Sequence, residues 1–261
     1  MKSFNFHSVK NVKEAKKLAS GKSSYLAGGM TTLPAIKLGL ASYSDIIDIK
    51  KIKELSGIKS SGKSLKIGAT TKHVEVVESK QVQKTISSLC DLADGIGDPQ
   101  VRNRGTIGGS IANNDPAADY PSACLALDAI IHTNSRKIPA GNFFKGTFET
   151  ALKKGELITS IEFEIPEKSS YAKFPNPASR YAIVGVYVAK LKKGIRVAIT
   201  GVESCVFRCK KLEDALSSNF SPSAIDNVNI SSAEFNSDIH ASAEYRAHMI
   251  KIMAKKAVSN C

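Results

Sequence analysis

Residues 102–119 read Arg102-Asn103-Arg104-Gly105-Thr106-Ile107-Gly108-Gly109-Ser110-Ile111-Ala112-Asn113-Asn114-Asp115-Pro116-Ala117-Ala118-Asp119, a run crowded with hydroxyl, glycine, amide and carboxylate groups. Glycines at 108 and 109 let main-chain atoms approach a ligand, because no Cβ stands in the way. Asp119 carries a carboxylate that can accept hydrogen bonds from sugar or polyol hydroxyls. Asp115 also reads as the N-cap of a helix opened by Pro116 and running to about Asp128. Arg102 and Arg104 read equally as a solvated basic turn. As a whole the block is too dense for an ordinary connecting loop.

A second glycine segment lies upstream: Leu26-Ala27-Gly28-Gly29-Met30-Thr31-Thr32-Leu33-Pro34. Here a strand ends at two glycines, Thr31 and Thr32 are N-cap types, and Pro34 suits a first helical turn. Such a turn aims unpaired N–H groups at one point and favours a phosphate. The spacing is neither GxGxxG nor a P-loop, and by itself the segment reads first as a plain tight turn before a helix.

Working outward, the first 55 or so residues read as βαβ. Lys13–Ala19 and Leu33–Leu40 are helical stretches, and Ser24–Ala27 and Asp45–Ile49 are strands of a small parallel sheet. A hairpin follows, Gly57–Lys59 with Leu65–Gly68 around a glycine turn. Helices are expected at Val74–Glu78 and Val82–Ala93. From Ile158 residues alternate as in a half-buried strand. Lys168–Pro177 reads as a polar connection and a domain boundary. Beyond it come strands at Ala182–Leu191 and Ile195–Val202, then helices near Lys211–Ser217 and Ala241–Val258.

Composition narrows the function classes. The 261 residues suffice for one large or two modest domains. No apolar run approaches the roughly 20 residues of a membrane span, and the N-terminus holds no apolar segment of signal-peptide length, so a cytoplasmic protein is expected. Cys90, Cys124, Cys205, Cys209 and Cys261 are odd in number and scattered, without a redox CxxC or a four-ligand zinc pattern. Two [2Fe–2S] clusters would need about eight ligands, almost all cysteine, so this chain does not hold them alone. The net charge of +13 is spread in ones and twos without interleaved aromatics, which argues against nucleic-acid binding; it suits an anionic cofactor or an acidic partner.

Other candidates read as structural. His240, Glu244 and His248 would stack on one side of a helix, opposite a core face traced by Tyr245, Met249, Ile252 and Lys256. His7, His73 and His132 have no evident partner. Cys124 reads as a small buried hydrophobe. Ser122 and Ser204 lack any Gly-x-Ser-x-Gly context. No metal site and no catalytic nucleophile or base is expected.

The pairing of Ala27-Gly28-Gly29 with Arg102–Gly109 and Asp115-Pro116-Ala117-Ala118-Asp119 resembles the flavin subunits of molybdenum hydroxylases. That family includes the medium subunit of aerobic carbon monoxide dehydrogenase, the nearer branch, and the xanthine dehydrogenase FAD subunit. Lys173–Val184 and Asp238–Arg246 look like its C-terminal domain, so the resemblance covers nearly the whole chain. It implies an α+β fold: a two-lobed PCMH-type FAD-binding domain at 1–170 (lobes about 1–55 and 56–170), then a small C-terminal domain of antiparallel sheet plus helices at 171–261.

The same resemblance implies FAD as cofactor, lying between the lobes with its ring towards the C-terminal domain. Leu26, Ala27, Gly28, Gly29, Met30, Thr31, Thr32 and Leu33 would wrap its pyrophosphate through backbone amides. Thr106, Ile107, Gly108, Gly109 and Ser110 would form the second half of that cradle. Asp119 would bind a hydroxyl of the FAD chain, Ile96, Ile158 and Lys173 would add contacts, and Tyr181 would shield one ring face. Met30 and Ser110 replace residues that in relatives are often polar and often Asn.

Implied partners are a large molybdopterin subunit and a small iron–sulfur subunit, assembled as a dimer of heterotrimers. Electrons would pass from [2Fe–2S] centres on the small subunit through FAD to an external acceptor. The competing readings are a free-standing flavin oxidoreductase of the same fold, which needs a proton-handling side chain beside the ring, and a scaffold that has lost its flavin.

Overall fold

The structure is a computed structural model and describes residues 2–261. Its first lobe contains β1 (Asn5–Ser8), α1 (Val12–Leu18), β2 (Ser23–Leu26), α2 (Thr32–Lys37) and β3 (Asp45–Asp48). The strands are parallel in the order β1-β3-β2. Ile46 and Ile47 of β3 point to opposite faces, and both are fully buried, as a central parallel strand requires. Asn11 starts α1 by accepting from the Glu14 amide at 2.9 Å.

The second lobe opens with the expected hairpin, β4 (Ile58–Ser60) and β5 (Ser64–Gly68), and continues through α3 (His73–Val77), α4 (Lys80–Thr85), α5 (Ser87–Asp94), α6 (Pro99–Arg102), α7 (Ile107–Asn113) and α8 (Tyr120–Ala126). Strands β6 (Ile130–Thr133) and β7 (Lys137–Pro139) follow, then the small hairpin of β8 (Phe144–Gly146) and β9 (Glu149–Thr150), then β10 (Ile158–Glu164). An antiparallel sheet of order β4-β5-β10-β6-β7 results.

Two helices differ from the sequence expectation. The helix expected at Val82–Ala93 is broken at Ile86, whose backbone lies at φ −145° and ψ 72°. Thr85, Ile86, Ser87 and Ser88 are all modest helix formers, and the run cannot hold the ladder through them. The helix expected from Pro116 begins only at Tyr120. The carbonyls of Pro116, Ala117 and Ala118 accept instead from Gly201 N, Ala182 N and the Thr200 hydroxyl, so they do not serve a first helical turn. Asp115 accordingly caps a turn, accepting from the Ala117 amide at 2.9 Å.

Lys168–Pro177 is not a connection. Residues Lys168–Pro175 form β11, where Ser170, Ala172 and Phe174 share one face and Ser169, Tyr171 and Lys173 the other, so each face mixes polar with apolar residues and no simple alternation announces it. The boundary expected at residue 170 lies inside this strand. With β12 (Ala182–Leu191), β13 (Gly194–Thr200) and β14 (Phe207–Arg208) it forms an antiparallel sheet in sequential order, joined by α9 (Lys210–Ser218) and α10 (Ala243–Ser259). One face of this sheet puts Tyr187, Ala189 and Ala198 into the core of the second lobe. The other packs Val184, Val186, Val188 and Ile199 against residues of α9 and α10. Burial on both faces explains the unbroken apolar run at 182–189.

On α10 the core face is Arg246, Ile250, Met253 and Ala257, whereas Tyr245 and Ile252 are exposed; the sequence expectation placed that face about a quarter-turn away. His240 and His248 are exposed, as expected. His7 and His132, read as isolated, each meet a carboxylate at 2.8 Å, Asp45 and Glu162. Both partners lie on strands distant in sequence.

Candidate functional site

A cavity of about 380 Å³ opens where the two lobes and the β11–β12 loop meet. Its first wall is the loop after β2, where Ala27, Gly28, Gly29, Met30 and Thr31 line the space. A Cβ on Gly28 would stand 2.1 Å from the Arg104 carbonyl oxygen, so only glycine lets this loop press against the second glycine segment. Gly29 sits at φ +76°, the left-handed region, and turns the chain into α2. The amides of residues 27 to 32 donate to no backbone acceptor among the described residues. Successive free N–H groups around a tight turn form a concavity suited to an anion such as a diphosphate.

A second wall is the start of α7, where Thr106, Gly108, Gly109 and Ser110 line the cavity. Its amides are already engaged: Ile107 N donates to Thr71 O, Gly108 N to Ala69 O, Gly109 N to Thr106 Oγ1, and Ser110 N to Thr106 O. Gly108 is required by packing, since a Cβ there would lie 2.6 Å from Ala69. Gly109 is exposed, and an added Cβ would meet only Thr106 Oγ1, at 2.9 Å. This segment therefore contributes close approach and hydroxyls rather than free backbone donors.

Asp119, Ile96, Ile158 and Tyr181 complete the expected lining. Among the remaining expected site residues, Leu26 and Ile107 point into cores, and Thr32 and Leu33 begin α2 without lining the cavity. Lys173 also stands behind the wall. Its ammonium donates to Gly95 O at 2.7 Å and Arg180 O at 3.0 Å, and pairs with the Asp119 carboxylate at 3.0 Å. Tyr171 donates its hydroxyl to the same carboxylate. Burial pushes the Asp119 carboxyl above the ordinary carboxylate range, opposed by Lys173 and Tyr171.

The sequence reading missed several lining residues. His73 is buried at 4% exposure and packs against Gly105, where a Cβ would fall 2.5 Å from its Nε2. Its Nδ1 has no partner among the described residues, and burial, aided by the Arg102 charge, lowers its pKa to about 4. Glu156 is also buried; hydrogen bonds from Arg136, with others from Lys153 N, Thr133 and Ser135, lower its pKa to about 2. Tyr25 lines the cavity and ties the lobes by donating to Gly155 O at 2.9 Å. These partners are brought together only by the tertiary fold.

A glycine-walled cavity between two α+β lobes, with one wall of free amides and a carboxylate beyond it, is the architecture of a nucleotide-cofactor protein, and its residues fit the diphosphate and polyol of FAD. Residues 2–167 match the family model described as FAD binding domain in molybdopterin dehydrogenase. The glyceraldehyde dehydrogenase medium chain of Sulfolobus acidocaldarius is 34% identical, over 97% of this chain and 96% of that protein. The carbon monoxide dehydrogenase medium chain of Hydrogenophaga pseudoflava is also 34% identical, over 98% and 96%. Among solved structures, a carbon monoxide dehydrogenase from Hydrogenophaga pseudoflava lacking the Mo-pyranopterin moiety matches with a TM-score of 0.89 and 33% identity, over 99% of this chain and 96% of that one. The chain belongs to the FAD-binding subunit family of molybdopterin dehydrogenases: it is an oxidoreductase flavoprotein whose cofactor is FAD.

Proposed function

We propose that this chain is the electron-transfer subunit of a molybdenum hydroxylase complex, receiving electrons from [2Fe–2S] centres of a small partner subunit and delivering them to an external acceptor. A large molybdopterin subunit would carry substrate oxidation, and the whole would be a cytoplasmic dimer of heterotrimers. Bound FAD supplies redox chemistry that takes electrons singly and releases them in pairs, which suits a junction between one- and two-electron carriers.

The residues of this chain bind and orient. Amides of 27 to 31 would hold the diphosphate, Gly109 and the Thr106 and Ser110 hydroxyls would lie against it, and Asp119 would accept from a polyol hydroxyl. Lys173 holds Asp119 in place, and Tyr181 covers one ring face. We divide the chain into a FAD-binding domain through β10 and a C-terminal domain from β11, supported by the family match ending at residue 167.

The observation that carries the reading is the run of free amides from residue 27, with Ala27, Gly28, Gly29, Met30 and Thr31 lining the same cavity as Asp119. Equal identity to glyceraldehyde and carbon monoxide dehydrogenase medium chains supports either class of substrate for the complex. The test is gentle affinity purification from the native host with mass identification of partners. Stoichiometric recovery of a large molybdopterin chain and a small cysteine-rich chain is expected. Recovery of a yellow chain alone would favour the free-standing flavoenzyme.

A further inference from the structure

We propose that Thr200 is a positioning residue for the flavin site, acting from the C-terminal sheet through the peptide that carries Asp119. This rests on the reading that the cavity takes FAD with Asp119 on its wall.

Thr200 ends β13 and is 1% exposed. Its hydroxyl lies 2.7 Å from Ala118 O and 2.9 Å from Pro116 O. One hydroxyl proton serves both acceptors, and the shorter contact is to the carbonyl of the peptide bond joining Ala118 to Asp119. Ala118 itself lines the cavity. The grip on Ala118 O therefore falls on the peptide group that ends at the Asp119 backbone nitrogen, where a small rotation would swing the carboxylate.

Two neighbours complete a clasp. Gly201 N donates to Pro116 O at 2.8 Å, and Ala182 N donates to Ala117 O at 3.3 Å. Ala182 follows Tyr181, so the same clasp holds the backbone next to that cavity-lining residue. Gly201 stands at φ +86°, and a Cβ on it would come 2.4 Å from Ala182 O. Behind it, the buried Arg246 donates through Nη1 to both Ile183 O at 2.6 Å and Gly201 O at 2.7 Å. Residues 116–118, which a local reading assigns to a helix, are thus held in a turn by the C-terminal sheet, and Asp119 is delivered to the cavity at its end. Lys173 fixes the carboxylate from its side-chain end, and Thr200 fixes the backbone from which it springs.

The test uses the full chain, stripped of flavin and titrated with FAD while flavin fluorescence is followed. Thr200→Val removes the hydroxyl at nearly constant volume and is expected to weaken FAD binding about tenfold. Thr200→Ser, which keeps the donor, should restore affinity to within about twofold of wild type. In an Asp119→Asn background, Thr200→Val should add less than about twofold, because the two residues act in series. Should Val at this buried site prevent folding, Thr200→Cys carries the same comparison with a weak donor of similar size. Wild-type affinity in Thr200→Val alongside a lowered melting temperature would overturn the inference, leaving Thr200 a merely structural residue. Additive penalties with Asp119→Asn, or a Ser variant as weak as Val, would overturn it as well. A wild-type chain that takes up no FAD would instead bring down the cofactor reading itself.

Discussion

Lys173 and Asp119, 54 residues apart, form an ion pair at 3.0 Å with side chains 9% and 5% exposed. Around it the ammonium also ties down Gly95 O and Arg180 O, so one cation joins three segments of the cavity rim. Removing one member of a buried pair leaves the other uncompensated, at a cost of about 3–5 kcal/mol. Lys173→Met is therefore expected to lower the melting temperature of the apo chain and to drive Asp119 towards its neutral form. Thermal unfolding without flavin checks the first effect, and flavin content after purification checks the second. A variant as stable as wild type would show that the pair is dispensable.

The glycines of the cradle separate into two kinds. Gly28 is required by the protein itself, since a Cβ would collide with Arg104 O at 2.1 Å. Gly28→Ala should destabilise the apo chain by about 1–3 kcal/mol, the usual cost of overpacking, and lose FAD with it. Gly109 borders open space apart from Thr106 Oγ1. Gly109→Val should leave apo stability within about 1 kcal/mol of wild type while abolishing flavin retention, because the branched side chain enters the cavity. Chemical denaturation of both apo variants, set beside their flavin absorbance, distinguishes the two cases.

Acid should weaken the fold in two stages. His73 is held neutral, with its pKa lowered from 6.5 to about 4 chiefly by burial. The unfolded chain takes up a proton below 6.5 that the folded chain refuses, so the contribution is complete above that pH and is lost as pH falls towards 4. By linkage this loss is on the order of 3 kcal/mol. Glu156, lowered from 4.5 to about 2 chiefly by Arg136, contributes fully above 4.5 and fades between there and 2. Melting temperature measured from pH 7 to 4 should decline in wild type and stay nearly flat down to about 4.5 in His73→Gln. An equal decline in both would assign the acid sensitivity to other groups.

Much of this architecture can be read locally. The hairpin of β4 and β5 and the β12–β13 pair are marked by apolar runs around glycine turns, and both glycine segments stand out because few other functions need such a density of small residues. What escapes local reading is whatever a distant partner decides. β1 reads Asn-Phe-His-Ser, polar by composition, and becomes a strand by pairing with β3. β11 mixes Ser170, Ala172 and Phe174 on one face with Ser169, Tyr171 and Lys173 on the other, so its alternation carries no clear apolar signal. The start of α8 is set by Thr200, Gly201 and Ala182, more than 60 residues away. Family resemblance points to both Lys173 and Asp119, but that they bind each other, and that the α7 amides are already engaged, follows only from the fold.

Tyr181 offers a last test, because its role is separable from stability. It lines the cavity yet is 44% exposed, and it follows Arg180, held at φ +62° in the left-handed region. Its ring thus projects from a strained turn that Lys173 anchors through Arg180 O. A half-exposed ring contributes little to the core, so Tyr181→Ala should change apo stability by less than about 1 kcal/mol. With the ring gone, bound flavin should retain its diphosphate contacts but become open to solvent on one face. Iodide quenching of the bound flavin should then rise several-fold while FAD content stays near wild type. Unchanged quenching would place the ring of FAD elsewhere in the cavity, and loss of FAD altogether would make Tyr181 a binding residue rather than a shield.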